Sequence, residues 1–184
     1  MLQCRIGDFG GSDAPVYREA MAESFNTVVL AQDRAARYAE VADEIASVLE
    51  GEPNLTARMA TVASMLASSF EHYFWTGFYV VDPAKGDELV VGPYQGTLGC
   101  LRIAFGRGVC GAAAEERRTI LVPDVEAFPG HIACDSRSRS EIVTPVFGPD
   151  GALIAVFDVD AVEPDAFDAR DAAGIEVILK RTFG

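Results

Sequence analysis

Two apolar, β-branched runs in the C-terminal half, Glu141 to Phe147 and Ala152 to Val159, are separated by Gly148-Pro149-Asp150-Gly151. The Asp-Gly pair favours a tight hairpin turn, so the runs pair as antiparallel strands. A second hairpin is written upstream. Tyr73 to Val81 is aromatic and β-branched, Asp82-Pro83-Ala84-Lys85-Gly86 reads as a turn, and Glu88 to Pro93 forms the return strand. A third strand near Leu101 to Phe105 leads through Gly106-Arg107-Gly108 into a short helix, Val109 to Arg117. Thr119 to Val122 is another short strand, and Pro123 to Ser140 is a loop with no evident element. A structureless stretch that long in a small domain is usually functional or disordered, and Phe128-Pro129-Gly130-His131-Ile132-Ala133-Cys134-Asp135 is too apolar for disorder.

Helices bracket the strands. Ala36, Tyr38, Val41, Ile45 and Val48 recur at three and four between Asp33 and Leu49, with Gly51 and Pro53 as the stop. Asn54 caps a second helix carrying Leu55, Met59, Val62, Met65 and Leu66, and Ala166 to Lys180 closes the chain as a helix. Hairpin-joined strands with helices at both ends predict an α+β layer rather than a doubly wound sheet. At 184 residues there is room for one domain, expected over residues 25–184. Residues 1–24 show no sustained period and are expected to form an extension.

Composition narrows the function. Hydrophobic residues make up 49% and charged residues 23%, enough to bury a core. A net charge of −13 opposes any polyphosphate partner, which argues against nucleic acid binding. The N-terminus lacks a basic, then apolar, secretory signal, and no stretch approaches the ~20 apolar residues of a membrane span. A cytosolic protein is expected. There, Cys4, Cys100, Cys110 and Cys134 are packing residues, metal ligands or redox catalysts rather than a disulfide scaffold.

Each of those readings has residues behind it. Cys110, at a helix start before Gly111-Ala112-Ala113-Ala114, reads equally well as a small buried apolar residue. Cys134 lies between Pro129-Gly130 and Asp135 in irregular backbone, where loop amides can lower a thiol pKa. If it folds back towards Cys100, a disulfide needs Cα atoms within ~7 Å. Zinc would use His131 and Cys134 with Cys100 and Cys110, although no C-x-x-C is present. His72 fits the end of the second helix better than a catalytic role.

Among the carboxylates, Asp165, Asp168 and Asp171 fit capping of the last helix. Asp158 and Asp160 alternate through Ile154-Ala155-Val156-Phe157-Asp158-Val159-Asp160, so both point to one face, and Glu141 can join them across the hairpin. Charge on such a face is costly unless paired or used. Trp75 and Tyr79 share a strand face by the same period.

Taken together, Gly92-Pro93-Tyr94-Gln95-Gly96, Gly106-Arg107-Gly108-Val109-Cys110-Gly111, Phe128 to Asp135, Ser138-Arg139-Ser140-Glu141-Ile142-Val143 and Phe157-Asp158-Val159-Asp160 resemble the free methionine-R-sulfoxide reductases, a GAF-domain family. The similarity runs from about Ala31 to the C-terminus. It implies a GAF-like six-stranded antiparallel sheet flanked by helices, a small closed pocket, and reduction of free methionine-R-sulfoxide. By resemblance, Cys134 is the catalytic cysteine, Cys100 the resolving cysteine and Cys110 a third whose role is open. Trp75 and Tyr79 then wall the substrate, Glu141, Asp158 and Asp160 form the acidic cluster, and Ile132 and Ala133 border the substrate. The family pattern further implies recycling by thioredoxin, no metal or organic cofactor, and a homodimer. Leu98-Gly99 and the extension with Cys4 depart from the pattern and are expected to lie away from the chemistry. A non-enzymatic GAF sensor that binds a small ligand is the alternative, and it would call for an output domain. A zinc-stabilised binding module is the third option.

Overall fold

The structure is a computed structural model that describes residues 34–132 and 134–184. Helices α1 (Arg34–Val48) and α2 (Leu55–Ser69) precede strands β1 (Trp75–Val81), β2 (Glu88–Gln95) and β3 (Arg102–Ala104). Helix α3 (Gly108–Glu116), β4 (Ile120–Val122), β5 (Ser140–Phe147), β6 (Leu153–Ala161) and α4 (Ala169–Phe183) complete the described chain. The six strands form one antiparallel sheet in the order β3-β2-β1-β6-β5-β4, the α+β arrangement anticipated from the hairpins. Its two sequence-local hairpins are joined at the centre by β1 against β6, with Trp75 opposite Asp160 and Gly77 opposite Asp158. The expected extension, the domain start at residue 25, Cys4 and Ala133 lie outside the described residues. No helix among those described is long and apolar enough to cross a membrane.

Each sheet face has its own core. Tyr38, Val41 and Ile45 of α1, Met59, Val62 and Leu66 of α2, and Ile175, Ile178 and Leu179 of α4 pack against Phe78, Ile142, Phe157 and Val159. The opposite face carries Trp75, Tyr79, Val143 and Val156, covered by Val109, Cys110, Ala113 and Ala114 of α3 and by Val125. Period-2 alternation therefore assigns residues to two layers, since Phe157 and Val159 join one core while Asp158 and Asp160 face the other side.

Several local expectations shift. The long loop holds a 3-10 turn, Val125–Ala127, started by Asp124, whose side chain accepts from the Glu126 N–H. Helix α2 ends at Ser69, so His72 sits in the turn after it, edge-on to Tyr73. Asp168 caps α4, as expected, and Asp171 completes a capping box. Asp171 is nevertheless fully buried rather than on a solvated helix end. It accepts from Tyr38 Oη at 3.0 Å and from Arg34 at 2.8 Å, tying α4 to α1, and Tyr38 also bonds Tyr73. One side chain thus satisfies a helix terminus and an interhelical network.

The close approach of those two helices depends on Gly174. A Cβ there would overlap the Tyr38 ring and lie 2.7 Å from Tyr38 Cβ, and the hydroxyl bonds to Asp171 and Tyr73 prevent the ring from swinging aside. Gly174→Ala is expected to destabilise the fold by about 1–3 kcal/mol despite its better helix propensity. At roughly 2–4 °C per kcal/mol for a domain of this size, thermal unfolding reads the loss, and an unchanged Tm would refute this packing account.

Candidate active site

Period-2 geometry brings the acids together. Glu141 is the direct cross-strand partner of Asp160, and Asp158 pairs with Val143, two residues along from Glu141. All three project into a pocket beneath α3 and the long loop, facing Trp75 and Tyr79 of β1. Glu141 is 6% exposed, and so is Asp158. No Lys or Arg bridges either of them among the described residues; the one basic side chain paired with Glu141 there is His131, whose Nε2 lies 3.6 Å from Oε2. Asp158 lies against Glu141 and the Cys110 thiol, with one ligand atom of each within 4.8 Å of the others, and its Oδ1 is buried without a partner.

Burial, and then the neighbouring Asp160 charge, pushes the Glu141 and Asp158 carboxyls well above the usual carboxylate range. Burial raises Asp160 to about 6 against the hydrogen bond from Ser138 and the nearby His131. Burial and crowding thus favour the protonated forms of Glu141 and Asp158. Cys110 occupies the first turn of α3, a position that ordinarily favours thiolate, but burial and the Asp158 and Glu141 charges outweigh this and raise its thiol.

The Asp160 shift has a consequence for stability. The native carboxyl holds its proton up to about pH 6, whereas an ordinary aspartate releases it near 3.8. The folded state then binds more protons between those values, so stability falls as pH rises through that window, by on the order of 3 kcal/mol. Asp160→Asn lacks this loss. The variant should gain on the wild type by about that amount between pH 4 and pH 7 in denaturant unfolding, and parallel stability curves for the two proteins would contradict it.

At the pocket mouth, Cys100 and Cys134 form a disulfide with their Cα atoms 5.6 Å apart, inside the bonding limit. Cys134 is exposed, Cys100 half-buried and Cys110 buried. A clamp holds the two cysteine loops in register. Thr97 Oγ1 donates to Asp135 Oδ2 at 2.8 Å, and the Trp75 indole N–H donates to the Thr97 carbonyl at 2.9 Å. Arg137 forks onto Asp135 at 3.0 and 2.8 Å and lies 4.6 Å over the Phe74 ring. These bonds pull the Asp135 carboxyl far below the usual range.

An aromatic stack forms one wall. Trp75 lies between Tyr79 and Tyr94, with ring centroids 5.6 and 5.1 Å away. Leu98-Gly99, expected to lie away from the chemistry, is part of this wall. Leu98 lines the pocket, and a Cβ on Gly99 would lie 2.9 Å from Tyr79 Oη and 3.1 Å from Trp75 Cζ2. The absent side chain lets the Cys100 loop rest on the aromatic rings. Free space at the centre is about 30 Å³, room for about two waters while the disulfide is closed.

The structure thus brings Cys134, Cys110, Glu141, Asp158, Asp160, Trp75, Tyr79 and Ile132 around one pocket, with Cys100 joined to it through the disulfide. The four-ligand zinc set does not assemble, because two of its sulfurs are bonded to each other. Sequence reasoning missed Arg107, Ser138 and the clamp through Asp135 and Thr97, all of which join the site by tertiary folding. The one local signal was the Asp135-Ser136-Arg137 spacing, which suits a charged turn.

Comparison with known proteins places the fold and the family. The GAF domain family matches residues 55–179. GAF domain-containing protein A of Dictyostelium discoideum is 46% identical over 144 residues, 78% of this chain and 89% of its own length. A Saccharomyces cerevisiae protein named free methionine-R-sulfoxide reductase is 37% identical over 135 residues, 71% of this chain and 75% of its own. The chain belongs to the free methionine-R-sulfoxide reductase family of GAF domains. The crystal structure of a free methionine-R-sulfoxide reductase from Neisseria meningitidis in complex with its substrate is 46% identical. It superposes with a TM-score of 0.76 over 83% of this chain and 92% of that one. The sheet order and helical layers described above are those of a GAF domain, with the pocket on the α3 face of the sheet.

Proposed function

We propose that this GAF domain is a thiol-dependent reductase that converts free methionine-R-sulfoxide to methionine. The observation that carries the reading is one pocket with a Cys100–Cys134 disulfide at its mouth and proton-holding carboxyls on its floor. A sulfoxide sulfur becomes electrophilic when its oxygen is protonated or hydrogen-bonded, so a thiolate and an acid must act together. Opening the disulfide frees the mouth and admits the substrate. Trp75 and Tyr79 hold its methylthio end, the acidic floor takes its ammonium group, and amides of the loop from Gly130 to Asp135 take its carboxylate, with Ile132 bordering it. Arg107 supplies a cationic side chain at the same mouth.

Attack by Cys134 sulfur transfers the oxygen, releasing methionine and leaving Cys134 as a sulfenic acid while a floor carboxyl donates the proton. Cys100 then displaces water to form the disulfide. An external dithiol protein of the thioredoxin type reduces it through a mixed disulfide, becoming a disulfide itself. Exposure of Cys134 supports attack at that end. The cycle calls for no metal or organic cofactor and suits the reducing cytosol; a homodimer is compatible with it.

Under anaerobic conditions the reduced protein should form one equivalent of methionine from free methionine-R-sulfoxide and lose two thiols per chain. The S epimer and peptide-bound methionine sulfoxide should give neither. Ligand binding without thiol loss would favour the sensor instead.

A further inference from the structure

We propose that the pocket floor is also a binding site for a divalent cation of the zinc class, formed by Cys110, Glu141 and Asp158. Their ligand atoms, one sulfur and two carboxylate oxygens, all lie within 4.8 Å of one another. Tetrahedral zinc with bonds of about 2.0–2.3 Å needs ligand atoms about 3.3–3.6 Å apart, so the three have to close by at most roughly 1.5 Å. Asp158 Oδ1 is buried without a hydrogen-bond partner on a side chain that lines this same pocket, and an oxygen so placed is costly to desolvate. The site differs from the four-ligand zinc set weighed as an alternative from sequence, since it uses neither disulfide sulfur.

The chemistry of the donors selects the ion. One thiolate with two carboxylates suits a borderline ion such as Zn²⁺ or Cd²⁺; Mg²⁺ and Ca²⁺ prefer oxygen alone and keep their water. Binding forms the metal–sulfur and two metal–oxygen bonds and expels the thiol proton together with the proton shared by the carboxyls. No oxidant or reductant takes part. His131, beside Glu141, stands where a fourth donor can approach. The pocket that these donors line keeps a small free volume while the disulfide is closed. Because the ion takes the carboxyls assigned to the substrate, it also inhibits turnover in competition with sulfoxide, a corollary that rests on the proposed function whereas the binding itself does not.

The test uses the full chain in its disulfide form with Cys4→Ser, so that Cys110 is the one free thiol. Cd²⁺ should produce an ultraviolet sulfur-to-metal charge-transfer band that saturates at one equivalent, with Zn²⁺ competing and Mg²⁺ not. Cys110→Ser should lose the band; Asp158→Asn and Glu141→Gln, checked for folding by circular dichroism, should weaken binding more than about tenfold. Absence of the band, its persistence in Cys110→Ser, or unchanged affinity in both carboxyl variants would overturn the site. If binding holds while Zn²⁺ inhibition is not competitive, the substrate assignment fails and the cation site stands.

Discussion

Cys134→Ser is expected to abolish methionine formation, including the first turnover, by at least about 10³-fold, whereas Cys100→Ser should yield one equivalent and then stop. The difference follows from order. The nucleophile takes the oxygen before any disulfide forms, while the resolving thiol acts only on the sulfenic acid. Geometry supports this division, since Cys134 is exposed at the mouth on an irregular loop while Cys110 is buried with a raised thiol. Rapid-quench measurement of methionine, with mass spectrometry of the Cys134 sulfenic acid trapped in Cys100→Ser, checks both halves. A first turnover surviving in Cys134→Ser but lost in Cys110→Ser would transfer the nucleophilic role to the buried thiol.

Asp158→Asn should lower the rate of the sulfoxide step by about 10²–10⁴-fold, the usual range for removing a positioned acid. Wild-type kcat/KM should be bell-shaped in pH. It rises as the attacking thiol ionises and falls on the alkaline side as the floor carboxyls lose the protons that burial and crowding hold there. The variant should lose part of the alkaline fall. Peroxide oxidation of the Cys100 and Cys134 thiols to the disulfide needs no floor acid, so it should proceed at the wild-type rate and show that the cysteines remain correctly placed. A variant with normal turnover and an unaltered alkaline limb would remove Asp158 from proton donation.

The shared face of Asp158 and Asp160, its extension to Glu141, and the pairing of Trp75 with Tyr79 were legible because a strand places every second side chain on one side. Turn chemistry likewise marked both hairpins, and apolar spacing marked α1 and α2. Element ends moved by a few residues, as with β1, which begins at Trp75 rather than Tyr73, because chain-end pairing depends on the neighbouring strand. Asp171 was assigned to a helix terminus correctly, but its burial under Tyr38 and Arg34 was not legible, since capping is local and the packing of α1 on α4 is not.

By itself the sequence determined an α+β chain, its two hairpins, an acidic strand face and a cysteine-bearing loop with the motifs of its family. Only the tertiary structure decided which sulfurs meet, since Cys100 and Cys134 stand 34 residues apart and their loops are joined by the bonds of Thr97 with Asp135 and Trp75. It also decided that Cys110 lies against the acids and that Gly99 rests on the aromatic wall. The physical reason is range. Backbone periodicity and turn preference act over a few residues and leave their mark in the local pattern, whereas desolvation, proton retention and sulfur pairing arise only when the sheet is closed at β1 against β6 and α3 and the loop cover its face.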